Sequence, residues 1–379
     1  MIPERVSIMQ PFYVMEILEK AIELEKEGRK IIHLEVGEPD FDTPQCIKNS
    51  AKEAIDVGKT SYTHSLGTYE LRNEIAKFYN NRYELSISPE NILVTNGTSP
   101  GLFIVLSTII SPGDEIILTN PCYPCYVNMI KFLQGKIKFI NIYEENNFQI
   151  DVSKIKKVIT KRTKAILINS PCNPTGTILS YENLKELAEI GVLIISDEIY
   201  HGLVFEGKEH SILEFTDNAI VLNGFSKLFA MTGWRLGYII TPKKFLRPMQ
   251  IIQQNFFIST NSFVQHAGIT ALKEAQQDVK RMIEIYDKRR KFMLKRLKDI
   301  GFSIKHNPIG AFYIFFNVKK YSNNSLELAL NILEEVGVGV TPGIDFGSNG
   351  EGYLRLCYAN SLENIEEGIS RLESFFNKR

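Results

Sequence analysis

From residue 90 onward, short apolar and β-branched runs alternate with stretches of helical period. The runs predict strands over Ile92–Thr95, Glu115–Thr119, Ile137–Ile142, Ala165–Asn169, Val192–Ser196, Ile220–Asn223 and Leu236–Ile240. Several are apolar throughout rather than alternating, the pattern of strands covered on both faces. Helices are predicted between them over Leu102–Ile110, Tyr123–Leu133, Val152–Ile159 and Tyr181–Ile190, the last with Ser180 as N-cap. This alternation implies an α/β fold, a three-layer sandwich with a mostly parallel sheet between helices.

After about residue 265 the texture changes. Val279, Met282, Tyr286, Met293, Leu297 and Ile300 recur at helical spacing and predict one long amphipathic helix, with the Lys288-Arg-Arg-Lys291 run on a solvated face. Beyond Gly301, strands over Phe302–Lys305, Phe312–Val318 and Tyr353–Tyr358 and helices over Leu326–Val336 and Leu362–Phe376 predict a smaller α+β domain. Val14–Glu27 reads as an amphipathic helix too short to be a domain, expected to pack on one of the other units.

Composition narrows the function classes. The length, 379 residues, fits two or three domains at about 150 residues each. Lys plus Arg and Asp plus Glu are both 44, so no global field draws the chain to nucleic acid or an anionic membrane. The longest apolar run, Gly101–Ile110, is about half of the roughly 20 residues a membrane helix needs. Met1–Gln10 lacks a signal-peptide core, so a cytoplasmic location is expected. Five cysteines (Cys46, Cys122, Cys125, Cys172, Cys357) fit free thiols in a reducing compartment. Cys122-Tyr-Pro-Cys125 has redox-motif spacing, but Pro121 and Pro124 bracket it in what reads as a loop, and no metal site is expected.

The chain has no GxxxxGK, GxGxxG, HExxH or GxSxG motif. Polar residues instead follow buried strands, where open α/β sheets place their ligands. Ser170-Pro-Cys-Asn-Pro-Thr-Gly176 follows one strand, Asp197-Glu-Ile-Tyr200 a second and Asn223-Gly-Phe-Ser-Lys227 a third, with Gly233-Trp-Arg235 beyond. Taken singly, Asp197 reads as a helix cap or structural ion pair and Lys227 as a surface lysine.

In this order, each at a strand end, these motifs resemble the class I branch of the aspartate-aminotransferase-like, fold type I pyridoxal phosphate enzymes. The resemblance spans nearly the whole chain, through Gly37-Glu-Pro-Asp-Phe41, Tyr62-Thr-His-Ser-Leu-Gly67, Asn96-Gly-Thr98, Pro121-Cys-Tyr-Pro124, Gly310-Ala-Phe-Tyr313 and Tyr353-Leu-Arg355. It implies pyridoxal 5'-phosphate held as a Schiff base on Lys227, which then shuttles the proton between Cα and the cofactor. Asp197 would pair with the ring nitrogen, Tyr200 and Asn173 with the phenolic oxygen, and Tyr123 would stack on the ring. Gly97, Thr98 and Ser99 open a helix whose N-terminus would take the phosphate, with Ser226 and Arg235. Arg355 would clamp the substrate α-carboxylate, with a backbone contact from Gly37. Tyr62 would reach the phosphate of a neighbouring subunit, implying a homodimer. One departure stands out: many relatives carry a phosphate-binding Ser where this chain has Gly224.

The resemblance further implies a large cofactor-binding domain over residues 45–265 and a small domain from 1–44 and 266–379. The expected activity is transfer of an amino group between an L-amino acid and a 2-oxo acid by a ping-pong mechanism. Two other readings use the same fold: β-elimination by a carbon-sulfur lyase, and a ligand-sensing domain of a transcription regulator. The latter carries a DNA-binding domain before the unit, whereas here the first helix begins by about residue 14. Neither Asn96–Leu102 nor Asn255–Gln265 holds a Lys or Arg, so a broad or neutral-to-aromatic amino-acid preference is expected. Glutamate and 2-oxoglutarate are the partner pair the resemblance brings with it.

Overall fold

A computed structural model describes residues 2–379. Its strands are β1 (Ile32–His33), β2 (Ile92–Thr95), β3 (Glu115–Asn120), β4 (Lys136–Asn141), β5 (Thr163–Asn169) and β6 (Leu193–Asp197). They continue as β7 (Ala219–Gly224), β8 (Gly237–Ile240), β9 (Tyr313–Asn317), β10 (Val338–Gly339), β11 (Thr341–Pro342) and β12 (Tyr353–Cys357).

Seven of these form the main sheet in the order β2-β8-β7-β6-β5-β3-β4, in which β8 alone runs against its neighbours. Side chains of each central strand divide between two cores. Ile166, Ile194 and Val221 face the helices Tyr69–Tyr83, Tyr181–Glu189 and Ser262–Glu274, while Leu167, Ile195 and Leu222 face Thr98–Ile109, Pro124–Phe132 and Lys243–Phe256. Cover on both faces is why these strands are apolar at every position. A second sheet, β11-β12-β9, is antiparallel, and β1 pairs in parallel with β10, so the N-terminal segment is built into the C-terminal region.

The long helix that Val279–Ile300 predict is Gln276–Asp299, with a separate helix, Ser262–Glu274, before it. The structure departs from the sequence reading in two places. The Lys288–Lys291 run is only half solvated. Arg289 is buried against Asp40 at 2.7 Å and over the Phe41 ring, and Arg290 pairs with Asp287 and Glu206. Residues 302–305 are not a strand. Phe302 and Ile304 are buried in alternation, but the Lys305 amide donates to the Glu144 carboxylate at 2.9 Å rather than to a neighbouring strand.

Parallel register carries the C-terminal ends of β5, β6 and β7 to one edge. Asn169 lies opposite Asp197, and Asp197 opposite Leu222. All three strands stop there and release their polar residues into one space.

Candidate active site

That space is a cavity of about 330 Å³. It brings together Asn173, Asp197, Tyr200, Ser226 and Lys227 from the ends of β5, β6 and β7. From other elements come Thr98, Ser99, Tyr123, Arg235, Gly37 and Arg355. Gly97 adjoins it with φ +97°, and a Cβ there would stand 2.6 Å from Arg235 Nη2. The bare backbone lets the guanidinium lie against the start of the Thr98–Ile109 helix, whose N-terminus favours an anion. Tyr62 is not brought in by its own chain: the residue is 82% exposed and does not line the cavity.

Asp197 is buried, and burial pushes its carboxyl up to about 6. Two bonds oppose that shift, from the Tyr126 hydroxyl to Oδ2 at 2.6 Å and from the Ile199 amide to Oδ1 at 3.2 Å. Lys227 is shifted the other way: burial first, then the nearby charges of Arg355 and Arg235, bring its ammonium down to about 8. Its Nζ donates to the Gly37 carbonyl at 2.6 Å and sits 6.0 Å from the centre of the Tyr200 ring. Tyr200 and Tyr313 join their hydroxyls at 2.7 Å.

Arg355, only 4% exposed, lies over the Tyr313 ring at 4.3 Å. Its guanidinium donates to Asn173 Oδ1 at 2.8 Å, to Thr341 Oγ1 at 3.0 Å and to the Glu35 carbonyl. Every one of these acceptors is neutral. Thr98 Oγ1 is buried with no hydrogen-bond partner among the described residues.

Gly224 has a steric explanation. A Cβ there would lie 2.9 Å from the Leu236 carbonyl and 3.0 Å from both Gly237 Cα and Thr98 Oγ1. Thr98 occupies the space a serine at 224 would need.

The sequence reading gave no role to several residues that line the cavity. Tyr126 follows Tyr123 by three positions at the start of the Pro124–Phe132 helix, a spacing that puts both on one side. Asn169 closes β5, so the strand-end rule would have found it; its Nδ2 donates to the Asp197 carbonyl at 2.9 Å. Tyr313 lay within a quoted motif. Glu38, bonded to the Thr232 hydroxyl, also lay within a quoted motif, Gly37-Glu-Pro-Asp-Phe41, whereas Phe12 carried no signal in the sequence.

The arrangement fits pyridoxal phosphate. An orphaned hydroxyl and a glycine-lined helix start meet an arginine at one end, a buried carboxylate faces the middle, and a lysine of lowered pKa stands nearby.

The Aminotransferase class I and II family profile matches residues 29–372. The chain is 45% identical over 382 residues, covering all of both chains, to the (5-formylfuran-3-yl)methyl phosphate transaminase of Methanocaldococcus jannaschii. A crystal structure from Methanococcus jannaschii, described as similar in its active site to kynurenine aminotransferases, superposes with a TM-score of 0.92 at 44% identity over all of both chains. Aspartate aminotransferase from Thermus thermophilus with maleate superposes with a TM-score of 0.95 at 34% identity, covering 99% of each chain. Family, fold and site chemistry agree: the chain belongs to the class I and II aminotransferases, of the fold type I, pyridoxal phosphate-using kind.

Proposed function

We propose that the cavity holds pyridoxal 5'-phosphate on Lys227 and passes an amino group from an L-amino acid to a 2-oxo acid in two half-reactions at this one site. The observation that carries this reading is Arg355. A buried guanidinium bonded only to neutral oxygens keeps its charge for an incoming carboxylate, which every amino acid and 2-oxo acid carries.

When bound, the cofactor supplies an electron sink for the negative charge that develops at the substrate Cα. Asp197, kept ionised by Tyr126 and Ile199 against its burial, would face the ring nitrogen and keep it protonated. Lys227, with its amine accessible near pH 8, would hold the cofactor and then take and return the Cα proton. Asn173 accepts from Arg355 through Oδ1, which leaves its amide hydrogens, with the Tyr200 hydroxyl, for the phenolic oxygen. Thr98, Ser99, Ser226, Arg235 and the helix start at Gly97 would hold the phosphate, and Tyr123 the ring face. Gly37 would contact the substrate carboxylate beside Arg355 once Lys227 turns away from its carbonyl.

The enzyme is proposed to be a homodimer in which each exposed Tyr62 completes its neighbour's phosphate site. Residues 45–265 would form the cofactor domain, and 1–44 with 266–379 the domain that closes on substrate. The five unpaired cysteines support a reducing, cytoplasmic setting. No helix among the described residues is long and apolar enough to cross a membrane.

The relatives' activities, on (5-formylfuran-3-yl)methyl phosphate in one and aspartate in another, support amino transfer and differ in substrate. A panel of amino donors and 2-oxo acids on the purified protein tests the reading. Turnover should require both partners, whereas release of ammonia and a 2-oxo acid from a donor alone would make the protein a lyase.

A further inference from the structure

We infer that Phe12 is the specificity-determining wall for the substrate side chain, and that the substrates are neutral amino acids with aromatic or bulky apolar side chains. This rests on the aminotransferase reading of the same cavity. In that reading all three cations lining the cavity are engaged: Lys227 by the cofactor, Arg235 by its phosphate and Arg355 by the α-carboxylate. Of the other lining residues, Phe12, Val14 and Met15 offer an apolar wall from one stretch of the chain, and the one further charged group besides Asp197, Glu38, is an acid that disfavours a distal carboxylate.

Phe12 does not stand on a free tail. On one side, the Gln10 amide donates to Asn128 Oδ1 at 3.0 Å, and Asn128 Nδ2 returns a bond to the Gln10 carbonyl at 2.9 Å. On the other, the Tyr13 and Val14 amides donate to the Asp345 carboxylate at 3.0 and 3.3 Å. Asp345 thus does for the start of the Tyr13–Lys26 helix what Phe12, as its N-cap, has no oxygen to do. Pinned between Asn128 and Asp345, the Phe12 ring meets Tyr123 edge to face, with centroids 5.9 Å apart and planes at 82°.

A distal carboxylate placed in this space would lose water and find no cation, whereas an aromatic side chain would find ring edges and faces at packing distance. The Tyr62 segment that a second copy would lend adds no Lys or Arg. Segments 60–67 and 255–265, joined by Gln265 Nε2 to Thr63 Oγ1 at 2.9 Å and to the phosphate end by Thr260 Oγ1 to Asn96 Oδ1 at 3.0 Å, contain no Lys or Arg. Asn128 and Asp345 are therefore positioning residues, and Phe12 is the group the substrate touches.

The test compares phenylalanine, alanine and aspartate as donors to a fixed acceptor, 2-oxobutanoate, which is the 2-oxo acid of none of them, with the holoenzyme. The wild type should favour phenylalanine over aspartate at least tenfold in kcat/KM. Phe12→Ala should lower the phenylalanine-to-alanine ratio at least tenfold, chiefly through KM. Asn128→Ala, which leaves the wall residue in place, should lower the same ratio by a smaller factor. Calorimetry with two unreactive probes gives a readout free of turnover: 3-phenylpropanoate should bind the wild type more tightly than succinate, and Phe12→Ala should abolish that difference. A preference for aspartate or succinate, or equal losses for phenylalanine and alanine in Phe12→Ala, overturns the assignment while alanine turnover upholds the aminotransferase reading. Absence of transfer from every donor overturns that reading and the inference with it.

Discussion

The Tyr126 hydroxyl donates to Asp197 Oδ2 at 2.6 Å, so a tyrosine from the Pro124–Phe132 helix holds in its charged form a carboxylate that burial would neutralise. Removing that bond should move the carboxyl further up. In Tyr126→Phe, the acid limb of kcat/KM is expected to shift to higher pH by at least about one unit, since a hydrogen bond to a charged group is worth about 1.5–3 kcal/mol. Activity should recover at alkaline pH, and cofactor affinity measured by dialysis should follow the same profile. An unchanged acid limb would mean that Ile199 alone suffices.

Asp197 also sets a conflict between stability and function. Its folded pKa, about 6, lies above the ordinary value of 3.8, so its favourable contribution is complete below pH 3.8 and lost as pH rises through 6. At pH 7.5 the buried charge costs about 3 kcal/mol. Asp197→Asn in the cofactor-free protein is therefore expected to raise the melting temperature at pH 7.5 by about 3–4 °C, with the gain vanishing near pH 4. The same change should reduce transamination by orders of magnitude, because the ring nitrogen loses its charge partner. Near-normal turnover in the variant would refute the role.

Lys227 titrates in the opposite sense. Burial lowers its ammonium from 10.5 to about 8, so the uncharged, nucleophilic amine gains population as pH rises through 8. Covalent capture of added pyridoxal phosphate by the cofactor-free protein should accelerate about fivefold from pH 7 to pH 8 and level off above about pH 9, whereas an unshifted lysine would climb about tenfold per unit to beyond pH 10. Lys227→Ala should abolish the borohydride-fixed adduct. A fixed adduct on another lysine would displace the assignment.

Much of this was legible in the sequence because strand ends are. Apolar runs such as Leu193–Ile195 announce cover on both faces, and a polar residue directly after one, as in Asp197, has one place to go. What the sequence hid were contacts between distant segments. Arg289 and Arg290 look solvated in a basic run until Asp40 and Glu206 arrive from elsewhere. Residues 302–305 alternate as a strand should, yet no neighbouring strand is there to pair with them. Phe12 lines the cavity because Asn128 and Asp345 hold the backbone of its neighbours Gln10, Tyr13 and Val14.

Gly224 shows the same dependence on a neighbour, Thr98. Because a Cβ at 224 would press on the Leu236 carbonyl and Gly237 Cα, both backbone atoms, the strain has no flexible outlet. Gly224→Ser is expected to destabilise the protein by about 1–3 kcal/mol and to weaken cofactor binding rather than strengthen it. Thermal melts and equilibrium dialysis would show this. Tighter binding with an unchanged melting temperature would mean that the serine anchor of the relatives can be restored here.

Tyr62 gives the test of assembly, because a residue supplied in trans can be separated from one supplied in cis. Lys227→Ala and Tyr62→Ala should each be weak or inactive alone, the first lacking its own lysine and the second lacking the tyrosine each chain lends its neighbour. In a mixed dimer one site collects both defects and the other neither. If equal amounts of the two variants are unfolded together and reassembled at random, half the dimers are mixed and half their sites are intact, so activity should return to about a quarter of wild type in a two-fold symmetric dimer. Were Tyr62 to act within its own chain, every site would carry one defect and mixing would restore nothing.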